Sequence, residues 1–176
     1  MDETTLQILT VVFGLYALLL AAAAISDAWR YIIPNSITVA LIGLFVADAL
    51  LLPIEVDWLS HLGAAGAVLA GGIALFAFGK LGGGDVKLLT ATSLWVGLDQ
   101  LLYYIAFVAI AGGGLTVLLL VLRRVIFGLR VSLPGRIASL PMPRVLLTGE
   151  HIPYALAIAP IAIWYGFRLP MLGAYL

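Results

Sequence analysis

"VKLLTATSLWVGL", residues 86–98, is the stretch on which the fold turns. It is apolar, yet it falls short of the ~20 residues that a helix needs to cross a hydrocarbon core about 30 Å thick. Whether it counts as a crossing decides on which side of a membrane every later residue lies.

The chain around it is built for a bilayer. Of 176 residues, 64% are hydrophobic and 10% charged, and the mean hydropathy is +1.17, outside the range of soluble domains. Leu6–Ile25, Ile37–Leu52, Leu59–Phe78, Leu101–Leu122 and Ile152–Phe167 are each long enough, or nearly so, to span as helices. A shorter segment can join them if neighbouring helices shelter one end or if it opens onto a water-filled cavity. The expectation is an all-α integral membrane protein with six transmembrane helices, the fourth short, and residues 1–176 forming a single polytopic domain. The first segment follows "MDETT", acidic where a signal peptide is basic, and its apolar run exceeds an h-region of ~7–15 residues. It reads as a retained helix, although "AAAAISDA" (21–28) imitates a cleavage site. The absence of Cys excludes disulfides and Cys-based zinc sites.

Charge supports the count. With six crossings, Arg30, Lys80, Lys87, Arg123, Arg124, Arg130, Arg136 and Arg144 fall on one side and only Arg168 on the other. The positive-inside bias makes the first side cytoplasmic and puts the N- and C-termini outside, with Asp2, Glu3, Glu55, Asp57 and Asp99. Without the short fourth helix, the basic loop at 123–150 would lie on the wrong face. That loop carries Pro134, Pro141 and Pro143, which oppose one continuous helix; it reads as a connector anchored at the membrane surface. The Gly-rich faces "AGAVLAGG" (65–72) and "AGGG" (111–114) suit close helix packing.

The topology also sorts the acids. Asp27 ends the first helix and Asp85 begins the fourth, at the same cytoplasmic depth. Asp48 lies about 18 Å higher at 1.5 Å per residue, beyond their reach. Asp99 belongs to the outer end, and Glu150 to the loop. Two carboxyls brought close share a proton, the arrangement with which one acid activates water while the other hydrogen-bonds a carbonyl. Helix polarity would favour Asp85, at a helix N-terminus, as the base and Asp27, at a C-terminus, as the proton holder. Gly82, Gly83 and Gly84 remove bulk beside Asp85 and allow a close backbone approach or a sharp turn. Pro34 and Asn35 read as a turn and helix cap, and Lys87 as an interfacial anchor. His151 reads as an ordinary interfacial residue and His61, on the outer side, as uninvolved.

"SDAWRYIIPN" (26–35) together with "GGGDVKLL" (82–89) resembles the type IV prepilin peptidases, membrane aspartyl proteases with a Gly-x-Gly-Asp motif. The resemblance assigns the catalytic roles to Asp27 and Asp85. Ile33, Pro34 and Asn35 match the family's turn, Gly82 and Gly84 its glycines, and Lys87 its usual lysine; "IPYALAIAP" (152–160) is similar to its last helix. The resemblance implies a prepilin substrate, with a basic leader in the cytoplasm and an apolar helix in the bilayer, cut at their junction in a bacterial inner membrane during pilus biogenesis and secretion. No metal, cofactor or nucleic-acid partner is expected. With no Cys and five residues before the first helix, the chain is similar to the short form of tight-adherence pilus systems, and methyltransferase activity is not expected. Two rival readings are a small transporter or channel using intramembrane acids, in which Asp48 would matter, and a non-catalytic pilus-assembly component.

Overall fold

A computed structural model of the chain describes residues 3–51, 56–132, 144–147 and 152–167. Among them are six α-helices and no strand: α1 (Glu3–Arg30), α2 (Asn35–Leu51), α3 (Trp58–Ala77), α4 (Gly83–Val96), α5 (Leu98–Ser132) and α6 (Ala155–Gly166), with one 3₁₀ turn at Arg144–Leu146. By length and composition α1, α3 and α5 suffice to cross a membrane; α2 and α6 are shorter apolar helices. The fourth helix is short, as expected, with 14 residues.

Because α4 cannot reach across a bilayer alone, its surroundings matter more than its propensity. It packs against α2, α3, α5 and α6, and Asp85, Val86, Leu88 and the whole run Ala91–Val96 are buried. Trp95 anchors it: its indole N–H donates to the Leu41 carbonyl at 3.2 Å, and its ring meets Tyr16 of α1 and Phe45 of α2. Tyr104 of α5 donates to Thr92 at 2.7 Å, so that two hydroxyls inside the bundle satisfy each other.

The far end of α4 is closed by short-range chemistry. Gly97, at φ 75°, turns the chain directly into α5, and the Leu98 N–H donates to Ser60 Oγ. His61 Nδ1 donates to the Leu94 carbonyl at 2.7 Å, and Asp57 caps α3 by accepting from the Ser60 N–H. His61 is thus a tie between α3 and α4, away from the acids at α4's other end.

Three expectations about boundaries are revised. The fourth helix starts at Gly83 rather than Val86, so two of the three glycines are helical and Asp85 sits in the first turn. The fifth continues to Ser132; Arg123, Arg124 and Arg130 ride on its last turns instead of on a loop, because nothing before Pro134 interrupts the helix. Arg123 folds inward, its Nε donating to the Val145 carbonyl at 3.0 Å. The sixth begins at Ala155, after Pro153 and Tyr154. Expectations resting on Asp2, Glu55, residues 133–143, Glu150, His151 and Arg168 lie outside the described residues.

Small residues decide how closely α3 meets α4. A Cβ on Gly72 would stand 2.7 Å from Val86 Cγ1, whereas one on Gly71 would meet nothing within 4 Å. Val has one stiff χ1 well in a helix and cannot swing away. Gly72→Ala is therefore expected to destabilise the protein by about 1–3 kcal/mol, the usual cost of overpacking, and Gly71→Ala to leave thermal unfolding in detergent unchanged or slightly improved.

Candidate functional site

Two helix ends and two helix starts converge on a cavity of about 310 Å³ lined by Asp27, Tyr31, Gly79, Lys80, Leu81, Gly82, Asp85, Ile152 and Tyr154. Each wall has a local cause. The chain leaves α1 through Tyr31, a non-glycine residue at φ 54° whose N–H donates to the Asp27 carbonyl at 2.9 Å. This is the αL helix stop, normally given to Gly or Asn. Holding a tyrosine in that conformation costs about 1–2 kcal/mol, and such strain is concentrated at functional sites. Ser26 Oγ, donating to the Ile32 carbonyl at 2.7 Å, steadies the exit.

The second wall follows from how α3 stops. Gly79 at φ 66° donates to the Phe76 carbonyl, and the Lys80 N–H to the Leu75 carbonyl, both at 2.9 Å. These two bonds make a Schellman motif, which turns Lys80, Leu81 and Gly82 into the cavity. The turn glycine is thus Gly79, whereas Gly82 has an extended backbone, at φ −73° and ψ 144°. The triple glycine serves packing instead. A Cβ on Gly82 would lie 2.7 Å from Asp85 Oδ2, and one on Gly84 would press on Ile33 at 3.4 Å. The two sequence motifs therefore meet: the Ile33 side chain lies against the glycine preceding Asp85. Gly83 faces the Phe76 ring at an ordinary 3.5 Å.

The carboxyls themselves are nearly enclosed, Asp27 at 6% and Asp85 at 9% exposure, and line the same cavity. Asp27 Oδ2 accepts the Ala155 N–H at 3.1 Å. Asp85 Oδ2 lies beside Gly82, while its Oδ1 is buried without a hydrogen-bond partner among the described residues. The bond from Ala155 changes the expected division of labour. Ala155 opens α6, so Asp27 also faces a helix N-terminus, and helix polarity no longer sets one acid apart from the other. Two nearly enclosed carboxyls lining one cavity suit a water molecule and a polarised carbonyl group.

The remaining anticipated residues support the cavity from outside. Lys87 does not line it; its Nζ donates to Asn35 Oδ1 at 3.0 Å, tying α4 to the start of α2. Asn35, expected as a cap, opens α2 and uses its side-chain oxygen for that tie. Pro34 accepts from the Ile37 N–H at 3.1 Å, which makes the turn. Asp48 is fully buried, its oxygens without a partner among the described residues, and it does not line the cavity.

Sequence reasoning passed over Tyr31, Gly79, Lys80 and Leu81. Lys80 and Gly79 stand next to the quoted motif and were legible as its approach; the left-handed Tyr31 carries no signal in residue type. Tyr154, quoted only for its likeness, is a wall residue, and Gly112 of α5 makes room for its ring, 3.3 Å from where a Cβ would be.

A family model described as the type IV leader peptidase family matches residues 14–117, more than half of the chain. No curated protein and no solved structure matches. The matched span contains both acids and both helix stops. Gly82→Ala is expected to push the Asp85 carboxylate aside and lower leader removal from a precursor by about 100-fold, the scale of a misplacement of 1 Å. Gly83→Ala, with only ordinary contacts to make, is expected to stay within a few fold in the same gel assay.

Proposed function

From the premise that this chain belongs to the type IV leader peptidase family, and is a membrane peptidase, we propose that it cleaves by an aspartyl mechanism with Asp27 and Asp85 as the catalytic pair. The observation that carries this reading is the cavity in which both carboxyls are buried together. Neighbouring carboxyls hold one proton between them. The ionised member takes a proton from water as its oxygen attacks the scissile carbonyl carbon, and the protonated member donates to the carbonyl oxygen. Collapse of the tetrahedral intermediate breaks the C–N bond, with a proton passing to the leaving amine. Gly82 keeps space beside Asp85 and Gly84 beside Ile33, with Gly83 facing Phe76, while Pro34, Asn35 and Lys87 hold the starts of α2 and α4 in register.

The substrate we propose is a prepilin with a basic leader and an apolar helix, cut at their junction on the cytoplasmic face of a bacterial inner membrane. Six crossings with both termini outside would bring Arg30, Lys80 and Lys87 to that face together with the acid pair. Lys80 on the cavity wall would then repel the leader's own cations, so the leader would leave the cavity toward the cytoplasm rather than across it.

Leader removal from a prepilin in detergent or vesicles is the test. Asp27→Asn and Asp85→Asn are each expected to abolish it, by at least about 1,000-fold, because a lone acid cannot supply both proton transfers. Asp48→Asn is expected to retain most of the rate, and its loss would favour the transporter reading. The rate should follow a bell-shaped pH profile whose two limbs belong to the pair. Chelators should leave it unchanged, and full activity in either Asn variant overturns the mechanism.

A further inference from the structure

A second, apolar groove of about 410 Å³ runs beside α4 between α3 and α5. Ala67, Val68, Gly71, Gly72 and Leu75 of α3 form one bank, Leu98, Leu101, Leu102 and Ile105 of α5 the other, with Leu89 of α4 between them. The groove extends from Leu98, just past one end of α4, to Leu81, just before the other. At 1.5 Å per residue α4 is about 21 Å long, and residues just beyond both of its ends line the groove.

Its inner end touches the reaction site. Leu81 lines both this groove and the acid cavity. A further apolar recess, between α1 and α6, is lined by residues such as Ala21, Pro160 and Trp164 and shares no lining residue with that cavity. The helices flanking the groove also have the most unclaimed surface: in its most apolar stretch α5 buries 11% of residues and α3 17%, against 33% for α1. The groove's α3 bank is low. A Cβ on Gly71 would meet nothing within 4 Å, and small residues let another helix backbone approach closely where no hydrophobic drive separates protein from lipid.

We propose that the groove between α3 and α5 is the dock for the apolar helix of the precursor, and that Leu81 is the threshold over which the chain passes from that helix to Asp27 and Asp85. The proposal rests on the peptidase reading above and adds where the substrate's membrane segment lies. A helix seated against Leu89 would bring its cytoplasmic end to Leu81, where the chain must leave helical form to present an extended bond to the pair. Specificity would then arise partly inside the bilayer, from how well a precursor helix fits Gly71 and Ala67, and not only from residues around the cut.

The absence of Cys from the chain makes the test clean. Leu102→Cys in the groove, 79% exposed, and Trp164→Cys on the α1–α6 side are each introduced into the Asp85→Asn protein in vesicles. A prepilin with one cysteine midway along its apolar helix is added, and disulfides are formed with a mild oxidant. The expected result is a precursor adduct at Leu102→Cys at least tenfold above that at Trp164→Cys, reduced when Gly71→Trp fills the groove. An adduct mainly from Trp164→Cys, adducts from neither, or a Leu102→Cys homodimer that the precursor does not displace each overturns the dock. Leader removal by the unsubstituted chain, measured in the same vesicles, separates the two readings. If it persists while adducts fail, only the dock falls; if it is absent, the peptidase reading falls and takes the dock with it.

Discussion

At 14 residues α4 is about 21 Å long, shorter than a hydrocarbon core of about 30 Å, and the other described helices are arranged around it. Four helices pack on α4, and a fifth reaches it through Tyr16. One end is closed by Gly97, Ser60 and His61. At the other, the first turn stands at a polar cavity, and Asp85 occupies that turn. The start of α4 thus places a carboxyl that is nearly enclosed by protein on the wall of a cavity.

The cavity is made by three terminations that use different local chemistry. An αL stop on a tyrosine ends α1, a Schellman stop on Gly79 ends α3, and the start of α6 lends its first N–H to Asp27. Between them Ile33 packs on Gly84, and Lys87 ties α4 to Asn35. These contacts join segments about fifty residues apart in the chain, and the bond from Ala155 closes a separation of 128 residues. The strain held at Tyr31 is tolerable because the surrounding contacts fix its backbone independently.

Much of this was legible in the sequence, for definite reasons. Helix number followed from apolar length and the sorting of charges, and the pairing of Asp27 with Asp85 followed from depth. Packing that depends on missing side chains was visible only in outline: glycines announce close approach, yet not that Gly82 clears Asp85's own oxygen while Gly84 seats Ile33. Helix ends were misjudged where no breaker marks them, as at Ser132, and where glycines proved helical, at Gly83 and Gly84. The bond from Ala155 to Asp27 was out of reach, because a backbone amide leaves no trace in residue type. That bond alone removed the expected asymmetry between the acids.

The proposed chemistry requires the two acids to share one enclosure. In the cysteine-free chain, Asp27→Cys and Asp85→Cys can be introduced together and treated with a short thiol-bridging reagent in membranes, the product being read by intact-protein mass. A single intramolecular bridge in most molecules is the predicted result. Two separately modified thiols, with no bridge formed in folded protein, would contradict it.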